Sequence, residues 1–506
     1  MENKLIKKRL FSDMELKELA IPLPDRIVKY IKNNEFGQAI ELAKELKESR
    51  ITLHDFFLES SMILWSWLAG KKGEDILEEM FRYIFKQSAE RQLYSIVTLQ
   101  RIYVRFAVSL LAESGWRSHS CFGAGEHPAK FSITEDDDKF TFHMKPCASG
   151  ARLWLKGWYD NNRGGKLSEK AQWWTYNRKG FPYYCVHCVF LNEALPYKTA
   201  GHLMWPVDDL KDASDVCRWH IYKDVNKIPE SYYSRLYLKK KPVTPIKPKR
   251  PMKRYFTEEE LAEMAKPVTD RIIECIKNHD YKKAVILCID VKDEFLFLHD
   301  LYVNMLVSTL TFISEKCGDA MLGEALGYHY EKCVREQLTE KISSLSVREK
   351  VVFLAGKIFG TDSCCGTGMP RSKFKISEDD TEVTFTLSPC GSGGRLIWGG
   401  AYKPLTFSNK IREAVENKIL MYIARLPIPD SLLQWAFSAT GGYYTQRKPH
   451  DQGCTENEYP WSFGKKDIPY FCCQCGMLAS KTQNKCININ YPKKKNDPCI
   501  WKIKKR

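Results

Sequence analysis

Residues 130–153 read K-F-S-I-T-E-D-D-D-K-F-T-F-H-M-K-P-C-A-S-G-A-R-L, and residues 373–396 read K-F-K-I-S-E-D-D-T-E-V-T-F-T-L-S-P-C-G-S-G-G-R-L. In the first stretch Phe140, Phe142 and Met144 alternate with Thr141, His143 and Lys145 after an acidic turn. That period of two predicts a β-hairpin with one buried face. The pattern then ends on Pro-Cys and a run of small residues, and it does so twice.

Outward from these stretches the correspondence continues. F-S-D-M-E-L-K-E-L-A-I-P-L-P-D-R-I from Phe11 returns as F-T-E-E-E-L-A-E-M-A-K-P-V-T-D-R-I from Phe256. Each copy opens with a capping box, Ser12 with Glu15 and Thr257 with Glu260, the signature of a helix N-terminus. L-H-D recurs at residues 53–55 and 298–300, 245 positions apart, and W-T-Y-N-R-K-G-F-P-Y-Y-C from Trp174 returns as W-S-F-G-K-K-D-I-P-Y-F-C from Trp461. This period far exceeds the 20–50 residues of a solenoid unit, so the expectation is a tandem duplication.

Within each copy, residues 11–115 and 256–360 carry helical apolar spacing, as in Ile27, Tyr30 and Ile31 or Ala39, Leu42, Ala43 and Leu46. Residues 116–237 and 361–506 are rich in Cys, Gly and aromatic side chains. The expected fold class is therefore α+β, each copy a helical bundle followed by a small Cys-rich, metal-stapled α+β subdomain. A basic lead (1–10) precedes the first copy and a Lys/Pro-rich linker (238–255) joins the two. Cys390 and Cys472 are 82 positions apart, against 38 for Cys147 and Cys185, which places an insertion near 401–458.

The chain has 506 residues, 28% of them charged, and a net charge of +16. Residues 239–254 and 493–506 supply fourteen of those charges. The body is nearly neutral, so nucleic acid binding is expected only through the linker and tail. The prolines at 242, 245, 248 and 251 predict an extended, self-repelling spacer. No apolar run reaches membrane length: residues 301–314 are interrupted by Asn304, Ser308 and Thr309 and read as a core helix. With no apolar core after the basic start, the reading is a cytoplasmic protein without a membrane partner.

Five cysteines of the first copy have counterparts in the second. Cys147, Cys185, Cys188 and Cys217 correspond to Cys390, Cys472, Cys475 and Cys499, and Cys121 to Cys364. C-V-H-C and C-C-Q-C give the two-residue spacing that turns two thiolates toward one ion, and four cysteines make a closed tetrahedral site. One four-cysteine centre per copy is expected, with zinc as its cofactor and iron or an iron–sulfur cluster as the alternative. The small residues after Cys147 and Cys390 let backbone N–H groups approach the sulfur.

Histidine is concentrated in the Cys-bearing part of the first copy, where His119, His127, His143, His187, His202 and His220 lie. This asymmetry suggests a pocket for a small-molecule substrate there, with His187, His220, Arg152 and Cys121 as candidate catalytic residues. The alternative is a non-catalytic zinc-binding module for a protein or nucleic-acid partner. His54 with Asp55, repeated as His299 with Asp300, reads as buried structure because neighbours on a helix do not face each other.

Overall fold

A computed structural model describes residues 9–88, 100–112, 123–160, 163–244, 248, 252–360, 371–398, 453–482, 487–492 and 497–505. The first half runs α1 (Asp13–Leu19), α2 (Leu23–Lys32), α3 (Phe36–Lys72), β1 (Phe131–Glu135), β2 (Lys139–Met144), α4 (Gly150–Leu155), β3 (Val207–Asp208) and β4 (Cys217–Tyr222). The second runs α5 (Glu258–Ala265), α6 (Val268–Lys277), α7 (Tyr281–Cys317), β5 (Phe374–Glu378), β6 (Glu382–Leu387), α8 (Gly393–Trp398), β7 (Asn488–Asn490) and β8 (Cys499–Lys504). Both predicted capping boxes form, at Ser12 and at Thr257. The class is mixed helix with small antiparallel sheets, as expected.

The long helices α3 and α7 each span 37 residues and stop at a glycine, Gly73 at φ +86° and Gly318 at φ +84°. Their C-terminal stretches are buried on every side: all residues from Phe57 to Ala69 and from Tyr302 to Ser314 are buried. Such a helix belongs at the centre of a protein. By length and composition α7 passes as a membrane span, but 88% of that window is buried inside the protein. Across the contact between the two helices, the Trp65 indole donates to Thr309 Oγ1 at 3.0 Å.

The two sheets have the same order, β1-β2-β4-β3 and β5-β6-β8-β7. The hairpin register is also shared, with Phe131 opposite Met144 and Phe374 opposite Leu387. Phe140, Phe142 and Met144 are all buried, as their alternation predicts.

The helical parts do not stand as two separate bundles. One core joins Leu23, Ile27, Ala39 and Leu42 of the first half to Val268, Ile272, Ala284 and Leu287 of the second. Lys47 pairs with Asp270 at 2.8 Å and Lys292 with Asp25 at 2.7 Å, the same pair read in both directions.

The leading segments are exchanged in the same reciprocal way. Helix α1 packs on β5 of the second sheet, and α5 packs on β1 of the first. Glu378 accepts the backbone N–H groups of Leu10 (2.7 Å) and Phe11 (3.0 Å), while Glu135 accepts those of Tyr255 (2.7 Å) and Phe256 (2.9 Å). Both carboxylates are wholly enclosed and answered by a lysine, Lys505 and Lys223, so neither is a bare buried charge.

The linker is less free than its composition predicts. The Lys239 carbonyl accepts from the Tyr197 hydroxyl, the Val243 carbonyl from Asn226 and the Thr244 carbonyl from Arg101. Residues 239–244 are thus held along the first half.

Candidate metal centres

In each half the strand ladder delivers two of the four cysteines. Met144 at the end of β2 lies opposite Cys217 at the start of β4, and Cys147 follows three residues after Met144. Leu387 lies opposite Cys499, and Cys390 follows in the same way. The other two come from the C-x2-C turn. A short 3-10 turn, Tyr183–Cys185 or Tyr470–Cys472, runs directly into helix and carries Cys188 or Cys475 around.

Cys147, Cys185, Cys188 and Cys217 line one cavity of about 60 Å³. Cys390, Cys472, Cys475 and Cys499 line a larger cavity of about 210 Å³ that reaches Phe56 and Phe57 of α3. The approach is close: a side-chain carbon on Gly150 would stand 2.4 Å from Cys185 Sγ, and one on Gly393 2.6 Å from Cys472 Sγ. Only glycine leaves that space.

Hydrogen-bond donors are aimed at the sulfurs. The Ala151 N–H donates to Cys147 Sγ at 3.3 Å and the Gly394 N–H to Cys390 Sγ at 3.0 Å. The Trp219 side chain beside Cys217 and the Trp501 side chain beside Cys499 oppose the upward push of burial on those two thiols. Sequence reasoning missed these tryptophans, although each stands two residues after its cysteine in C-R-W and C-I-W.

Burial pushes the thiols of Cys185, Cys188, Cys217, Cys472 and Cys499 well above the ordinary range, and the neighbouring sulfurs push them further. Among the described residues, no group of three or more His, Cys, Asp or Glu side chains that could hold a metal ion is found with the side chains as they stand.

The candidate catalytic side chains are engaged. His187 Nδ1 meets the Tyr184 carbonyl and its Nε2 lies 3.4 Å from Cys188 Sγ; burial pulls its pKa down to about 4. Burial thus favours the uncharged imidazole. His220 sits between Thr141 and Asp208, 3.0 Å from each. Arg152 grips Asp55 with both terminal nitrogens, at 2.6 and 2.9 Å, and also donates to the Glu126 carbonyl. Cys121 and Cys364 lie outside the described residues.

His54 and Asp55 do touch, Nδ1 to Oδ1 at 3.0 Å, contrary to the helix-face expectation. The rings of His54 and His299 turn back along the helix onto the next carboxylate, and Asp300 is held between His299 and Arg395 as Asp55 is between His54 and Arg152. Each trio ties a long helix to the helix that follows the first cysteine.

Asp208 offers a pH readout. Burial alone would raise its carboxyl, but the His220 imidazole and the Tyr232 hydroxyl outweigh burial and hold it down, at about 2. A lowered pKa stabilises the fold above the unfolded value and loses that contribution as pH falls toward the folded one. With the side chain 40% exposed, solvent screening reduces the contribution to about 1 kcal/mol. The Asp208→Asn variant should therefore lose less stability than the parent between pH 4 and pH 2, measured by denaturant titration. Parallel curves would refute this.

No family model, no curated protein and no solved structure matches this chain.

Proposed function

We propose that the chain is a metal-stapled binding protein. It is a tandem duplication in which each half closes around one structural zinc ion, held by Cys147, Cys185, Cys188 and Cys217 in the first and by Cys390, Cys472, Cys475 and Cys499 in the second. The observation that carries this reading is that in each half the four cysteines line one cavity and a backbone N–H donates to the first of them. Such donors favour a charged sulfur over a neutral thiol. Four thiolates gathered in an apolar enclosure need a cation, and zinc is the default partner for that ligand set. Bound there, the ion would cross-link the hairpin to the C-x2-C turn and leave no open position for substrate.

The engagement of His187, His220 and Arg152 favours a binding role over small-molecule catalysis. A reducing, cytoplasmic setting accords with the free thiols of all fourteen described cysteines. The test is metal analysis of the full chain purified without oxygen, together with its absorption spectrum. Two zinc ions per chain and no visible colour are expected. A visible iron–sulfur band, or less than one ion per chain, would overturn the proposal.

A further inference from the structure

The cavity at the four cysteines of the second half is larger than an ion needs. It measures about 210 Å³ against about 60 Å³ for its counterpart, an excess of about 150 Å³. Four thiolates close on one ion completely, so the excess lies beyond the sulfurs. Its wall comes from three separate stretches: Phe56 and Phe57 of α3, Leu338, Phe353 and Phe359 of the residues that follow α7, and Ile397 of α8. An apolar space of about 150 Å³ stays dry and accepts a single aromatic ring.

The buried polar side chains on this wall are already engaged. His329 Nε2 meets Ser60 Oγ at 2.7 Å, and His299 Nε2 meets Ser392 Oγ at 3.1 Å. Gln337 donates to Glu59, and Gln474 donates to the Phe471 carbonyl at 3.2 Å. Lys357 is the one lysine, arginine or carboxylate among the described lining residues. Burial disfavours its charge, which Glu45 and Glu48 of α3 support. A guest in this space therefore meets mainly carbon, as in an apolar ligand pocket.

The two halves differ at this wall in one direction. The P-Y-Y-C and P-Y-F-C repeats match Tyr184 to Phe471, and the 245-residue offset matches Phe57 to Tyr302. Phe57 and Phe471 both line the larger cavity. Where the first half carries two phenol hydroxyls, the second carries bare rings.

We propose that this cavity binds one small neutral aromatic molecule, a single ring without a charged group, beside the second metal centre. The exposed Thr52 and the half-buried Lys357 lie at its edge and mark the way in. The proposal names a ligand class for the binding role given above and rests on that reading in one respect, that an ion takes the cysteine end of the cavity.

Calorimetric titration of the full chain, purified without oxygen, with benzene, phenol and benzoate tests it, with zinc counted on the same sample. Benzene should bind at one site per chain and at least tenfold more tightly than the other two, because a hydroxyl or carboxylate would be buried without a partner. Restoring the first-half residues, Phe57→Tyr with Phe471→Tyr, should weaken benzene binding at least tenfold. Leu338→Trp, which puts an indole into the space, should abolish it. Both variants should keep two zinc ions and unfold cooperatively in denaturant. No benzene uptake by the parent, equal binding of the three compounds, or unchanged uptake in the double-tyrosine variant would overturn the proposal. Benzene uptake by a chain holding less than one zinc ion would support the cavity and refute the metal reading, and two ions without uptake would do the reverse.

Discussion

Replacing Cys185 with serine is expected to lower bound zinc from two ions per chain to one and to destabilise the whole molecule. A structural zinc site supplies about 10–16 kcal/mol of apparent binding free energy at neutral pH, so losing one thiolate should cost on the order of 5–10 kcal/mol of folding stability. The loss should not stay in the first half, because α3 packs against α7 and one core runs through both halves. Cys472→Ser should behave the same way from the other side. The control is Cys288→Ser, a buried thiol on α7 with no cysteine partner assigned to it, where a hydroxyl in an apolar site costs about 1–3 kcal/mol and both ions remain. Metal analysis and denaturant unfolding of the three variants decide the matter. If Cys185→Ser keeps two ions, or loses no more stability than Cys288→Ser, the cysteines are packing residues.

The hairpins and the convergence of four cysteines on one cavity in each half were readable because each is local or follows a motif that recurs in the sequence. Alternation of Phe140, Phe142 and Met144 names a buried face wherever the strand ends up. The match of Cys217 with Cys499 follows from the neighbouring tryptophan two positions on.

What escaped was the partner of each face. The apolar stripe of α1 says that it packs, not that it packs on β5 of the other half, and Glu378 gives no sign in sequence that it will receive the N–H groups of Leu10 and Phe11. The His54–Asp55 contact failed on a different point. Side-chain direction along a helix, not residue spacing alone, decides which groups meet.

That contact leads to the second large effect, at Asp55. Its carboxylate is pressed upward in pKa by burial, yet His54, Arg152 and Lys156 together hold it well below the usual carboxylate range. Arg152 is 1% exposed, so truncating Asp55 strands a guanidinium whose remaining acceptor is the Glu126 carbonyl. Removing one partner of a buried pair costs about 3–5 kcal/mol, much of it the uncompensated charge. Asp55→Ala should show that loss in denaturant unfolding, and Asp300→Ala should show a similar one through Arg395. If stranded charge is the cause, Asp55→Leu combined with Arg152→Met should recover most of the stability, because an apolar pair of similar volume needs no solvation. Lys156 sharpens the test. It also reaches the enclosed Glu59, so it can turn fully to that carboxylate once Asp55 is gone, and the deficit belongs to Arg152 and to the His54 ring, which loses its contact with Asp55. A loss below about 1 kcal/mol, or a double variant no better than Asp55→Ala, would mean that the trio is incidental and that helix α4, which begins three residues after Cys147, is held in place by packing.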